Sequence, residues 1–92
     1  MTTEQLRHLG NIIGHYGAKN QMEKAIEECK ELVYEIENAI EFKGVLENII
    51  DEVADVEVMI NQLKIIFGCF GEVEERIDFK INRQLERMKK GE

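Results

Sequence analysis

The sequence contains no proline and no tryptophan, and only two cysteines, Cys29 and Cys69. Seven glycines and no proline are too few turn signals for an all-β sandwich. The cysteines form no CxxC pair and are too few for a disulfide scaffold, which points to reduced thiols. No apolar run approaches the roughly 18 residues of a membrane-spanning helix. No apolar leader segment opens the chain either. The expectation is a cytoplasmic protein with no membrane partner.

Basic charge is also scarce. The chain carries 12 Lys and Arg against 19 Asp and Glu, a net charge of −7. The imbalance is uneven: residues 1–79 hold 7 basic and 17 acidic side chains, residues 80–92 hold 5 and 2. An acidic surface repels phosphate backbones, so a nucleic-acid polymer is not an expected partner.

What remains is 43% hydrophobic and 34% charged, in 92 residues. That length suits one domain. A proline-free chain rich in Glu, Lys, Leu and Ile is a chain of helices. The apolar periodicity predicts four of them. The first covers residues 4–16, with Leu6, Leu9, Ile12 and Ile13 on one face and Thr3 as its cap; Gly10 and Gly14 threaten to break it. The second runs from Asn20, with Glu23 completing a near capping box, to Phe42. Its stripe is Met22, Ala25, Ile26, Cys29, Leu32, Val33, Ile36 and Ile40, and Gly44 ends it. The third runs from Val45 to Phe67 with the stripe Leu46, Ile49, Ile50, Val53, Val56, Ile60 and Leu63, and Ala54, Val58 and Ile65 behind it. A helix apolar on two faces is central, within its own subunit or between subunits. The fourth runs from Glu72 to Met88 on Val73, Ile77, Ile81, Leu85 and Met88, after a loop bracketed by Gly68 and Gly71. The expected fold is all-α, a helical bundle of about four helices completed by oligomerisation.

Several carboxylates sit beside these stripes rather than opposite them. At about 100° per residue, side chains three apart differ by about 60° and share a flank. Glu28 and Glu31 have that relation on the second helix, Glu52 and Asp55 on the third. In antiparallel neighbours the four converge, and convergent carboxylates repel unless a cation neutralises them. Oxygen-only ligands favour Mg²⁺ or Mn²⁺ over zinc. In a chain with 16 glutamates either spacing arises readily by chance, and Glu72 with Glu75 reads as a solvated pair. Lys80, Arg83 and Arg87 flank the fourth stripe and could face a phosphate; Lys89 and Lys90 simply complement the helix dipole. His8 and His15 are isolated and form no ExxH pair, which disfavours a di-iron bundle. Cys29 reads as a small buried hydrophobe and Cys69 as an ordinary thiol.

Glu27-Glu28-x-x-Glu31, twenty residues, then Glu52-x-x-Asp55 resembles the EExxE…ExxD signature of the MazG-like all-α NTP pyrophosphohydrolases. The segments NQMEKAIEECKELVYEI, IIDEVADVEVMINQLKIIFG and KINRQLERM resemble short phage or prophage members, over about residues 10–88. The resemblance implies one such domain over residues 1–92 that converts a nucleoside triphosphate to the monophosphate and pyrophosphate. It implies Mg²⁺, with Mn²⁺ a possible substitute, held by Glu28, Glu31, Glu52 and Asp55. Glu27 would orient or activate the attacking water, with Glu28 and Glu31 beside it. Lys80 and Arg83 would lie near the phosphates, and Gln21 and Lys24 would contact substrate. Assembly as a homodimer or homotetramer is implied as well. With six aromatics and no tryptophan, no base-stacking residue stands out. A second class of function stays open: a non-catalytic helical oligomerisation or nucleotide-binding regulatory module of the same fold.

Overall fold

A computed structural model describes residues 1–92 as four α-helices and no strand. They are α1 (Thr3–Tyr16), α2 (Ala18–Ile40), α3 (Leu46–Phe67) and α4 (Phe70–Lys89). The predicted helix count and order hold, and the ends differ for local reasons.

Thr2, not Thr3, caps α1. The Gln5 amide N–H donates to its Oγ1 at 3.0 Å while its own N–H donates to Gln5 Oε1 at 2.8 Å, a complete capping box. Gly10 and Gly14 leave the helix unbroken. Gly17, at φ 92°, joins α1 directly to α2, so Asn20 lies inside the first turn of α2 and does not cap it. Its Nδ2 instead donates to the Tyr16 carbonyl at 2.7 Å, satisfying the end of α1.

The α2 terminus is unusual. The Phe42 N–H donates to the Ala39 carbonyl at 3.1 Å and the Lys43 N–H to Asn38 at 2.9 Å. This is a Schellman motif with Phe42 at its left-handed position, φ 61°. At the end of α3 the same two bonds run from Gly68 to Ile65 and from Cys69 to Lys64, with glycine in the left-handed place. Gly44 therefore does not end α2. It lets the chain turn back closely: a Cβ there would meet the Ala39 Cα at 3.0 Å. The last helix starts earlier than predicted, so Gly71 is helical. Lys64 Nζ lies 5.7 Å from the centre of the Phe70 ring, which links α3 to the start of α4.

α2 and α3 form an antiparallel hairpin with α1 laid across them, and α4 touches α3 alone. α3 is the one helix that touches all the others, in keeping with its two apolar faces. Only Leu9, Ala25, Val56 and Met59 form the buried apolar core, joined by the polar Gln21, Glu28 and Gln62. Only part of the predicted α2 stripe is covered: Met22, Ala25 and Leu32 are buried or half-buried. Ala25, Glu28 and Leu32 face the seam, while Ile26, Cys29, Val33, Ile36 and Ile40 are exposed. The exposed set is displaced from the seam by one residue, about 100° around the helix. Cys29 is thus a surface thiol rather than a core side chain.

Candidate metal centre

The α2–α3 seam carries its acids at matched heights. Glu28, Glu31 and Glu52 each bring a carboxylate oxygen within 4.8 Å of the other two. The i, i+3 spacing on α2 and the antiparallel partner supply this convergence. Glu28 is only 7% exposed. Its Oε1 meets Lys24 Nζ at 3.3 Å, but its Oε2 is buried with no hydrogen-bond partner. Glu52 Oε2 is likewise buried and unpartnered. Such atoms are costly unless a donor or cation meets them.

The electrostatics follow. The Glu52 carboxyl is pushed up to about 7, first by desolvation, then by the acceptor Glu31 beside it and the charges of Glu31, Glu28 and Asp55. Asp55 is also raised, by desolvation and then by Glu28, against a smaller opposing pull from Lys24. It adjoins the cluster through Glu28 without being one of the three closest acids. Lys24 is held above the usual lysine range, first by its hydrogen bond to Glu28 and then by the charges of Glu28 and Glu27.

The other expected site residues divide. The Glu27 side chain is 65% exposed and is not one of the three clustered acids; it lies 3.5 Å from Lys24, which bridges it to Glu28. Lys24 is therefore engaged with acids of its own helix. Gln21, expected at the substrate, is buried against α3, where its Nε2 donates to Gln62 Oε1 at 2.7 Å. Lys80 and Arg83 are exposed on α4, which makes no contact with α2, so a single chain does not bring them to the acids. Gln62 is the residue sequence reasoning missed. A glutamine in the middle of the apolar α3 pattern was its only signal.

Comparison with protein-family models, curated proteins and solved structures finds no match to the chain. The site is therefore read from its own chemistry. Three carboxylates, two of them with an orphaned buried oxygen, make an oxygen-only donor set suited to a hard divalent cation such as Mg²⁺ or Mn²⁺. The apolar groove of about 460 Å³ lined by Met22, Ala25, Ile26, Cys29, Val33 and Leu63 lies outside this cluster.

Proposed function

We propose that this chain is a Mg²⁺-dependent nucleoside triphosphate pyrophosphohydrolase of the MazG-like all-α type, cleaving between the α and β phosphates. The observation that carries the reading is the convergence of Glu28, Glu31 and Glu52 with two unpartnered buried oxygens. Glu28, Glu31 and Glu52 would hold the ion, with Asp55 beside them. Mg²⁺ supplies charge neutralisation for the triphosphate and a water of lowered pKa. The chain's own part is to hold the acids in place and to accept a proton. Glu52, raised to about 7 by desolvation and its acidic neighbours, would give up that proton on meeting the cation, which suits it to be a ligand and leaves proton acceptance to an acid outside the ligand set. Glu27, exposed and joined to Glu28 through Lys24, would orient or activate the attacking water.

The phosphate-binding cations are the incomplete part. Lys80 and Arg83 stand on a helix with no buried residue. Assembly would remedy this. The chain exposes 7252 Å², against about 5,500 Å² for a compact monomer of 10.7 kDa. The excess of roughly 1,700 Å² is what one subunit of an obligate homodimer buries. A second copy, as a homodimer or a dimer of dimers, could bring its basic α4 to an acidic α2 flank.

Incubation with a panel of ordinary and modified triphosphates and Mg²⁺ or Mn²⁺ tests the reading. The expected products are monophosphate and pyrophosphate; silence across the panel by a protein that binds the metal overturns it. The detachment of Lys80 and Arg83 favours a second reading, a nucleotide-binding module without turnover. Calorimetric binding of a triphosphate that is never cleaved would select it.

A further inference from the structure

The acids of the seam are spaced in step with a pair of buried amides. Seven residues along α2 from Gln21 is Glu28, and ten along is Glu31. Seven residues back along α3 from Gln62 is Asp55, and ten back is Glu52. Gln21 meets Gln62 at 2.7 Å. Glu31 and Glu52 bring carboxylate oxygens within 4.8 Å of each other, and Glu28 is the acid that acts most on Asp55. All three pairings therefore belong to one offset of the two antiparallel helices.

The apolar part of the seam does not specify that offset strongly. Ala25, Leu32, Val56 and Met59 are small, flexible or interchangeable in size, and apolar side chains pack acceptably in more than one register. At 1.5 Å per residue, a slip of one turn would carry Glu31 about 5.4 Å from its partner. The loop around Gly44 fixes one end of the hairpin, where the Cβ-sized space is already taken by Ala39. Gln21 and Gln62 lie toward the opposite end, 8% and 2% exposed. In any other register each buries an amide without its partner, which is strongly disfavoured.

We infer that Gln21 and Gln62 are positioning residues. Their buried amide pair sets the α2–α3 register in which Glu28, Glu31 and Glu52 converge, and so sets the affinity for the divalent ion. The inference rests on the metal-site reading above. Gln21 lies about 10.5 Å along the helix from Glu28, too far to be a ligand of the same ion.

The test is the double variant Gln21→Met/Gln62→Met, which keeps side-chain length and removes the amides. Melting is followed by circular dichroism and Mn²⁺ affinity by calorimetry, with Mn²⁺ alone as the probe. The expected double variant melts at or above the parent yet binds Mn²⁺ at least tenfold more weakly. Each single variant, which strands one amide, melts below the parent. Parental Mn²⁺ affinity in the double variant overturns the register role and leaves the metal site standing. A double variant that melts well below the parent overturns it too, because the pair would then hold the helices together rather than choose their offset. If the parent itself binds no Mn²⁺, the metal-site reading falls and this inference falls with it. Gln21→Leu/Gln62→Leu repeats the comparison should the methionine pair fail to fold, and melting well below the parent counts against the register role when both pairs show it.

Discussion

Glu52 is the residue whose surroundings most alter its chemistry. Its carboxyl is raised from 4.5 to about 7 in the folded chain, so folded protein binds a proton that unfolded chain releases. Without metal, stability is therefore greatest at the acid side and falls as pH rises from about 4.5 to about 7. Asp55, raised for the same reason, adds to the slope. Melting temperature against pH should show this decline. Glu52→Gln should flatten it, and saturating Mg²⁺ should raise the melting temperature most at the neutral end. A second residue-scale prediction concerns Phe42, 98% exposed and left-handed. An L side chain in that conformation costs about 1 kcal/mol, so Phe42→Gly should stabilise the isolated chain by up to about that amount. Gly44→Ala should do the reverse by forcing the turn off Ala39. Thermal melts of the two variants check both directions.

At the scale of the helices, much of the fold was legible because the signals are local. Apolar recurrence found four helices, and of the two i, i+3 acid pairs on α2 and α3, Glu28, Glu31 and Glu52 come together while Asp55 stands beside them. Periodicity names an apolar face but not its partner. The α2 stripe reads as one wide core face, yet only its Ala25 and Leu32 edge, with Glu28 between them, lines the seam, and Ile26, Val33 and Ile36 one residue over are exposed. Cys29 was misplaced for the same reason. The Gln21–Gln62 bond was illegible, since it joins positions 41 apart. Lys80 and Arg83 share a flank of α4, but nothing in their spacing says which helix that flank meets. The element-scale prediction is that Glu28→Gln and Asp55→Asn abolish the proposed metal-dependent hydrolysis while the helical spectrum and melting temperature hold or rise. A large fall in melting temperature would instead make these acids structural.

Across the whole molecule, the radius of gyration is 16.0 Å, where a compact chain of 92 residues has about 12.3 Å. The extents of 48 × 35 × 23 Å describe an open shape, with α4 standing off the hairpin. Ile77, Ile81, Leu85 and Met88 on α4 and Ile26, Val33 and Ile36 on α2 are all exposed. Light scattering should find a stable homodimer or tetramer, and a persistent monomer would refute the assembly. Only seven residues are buried in a single chain, and in the proposed assembly a neighbour would supply much of the missing apolar contact, coupling association to folding. Melting temperature should then climb with protein concentration. Were the proposed assembly obligate, dilution would itself act as a denaturant, and the number of copies in a given volume would set how many of them are folded.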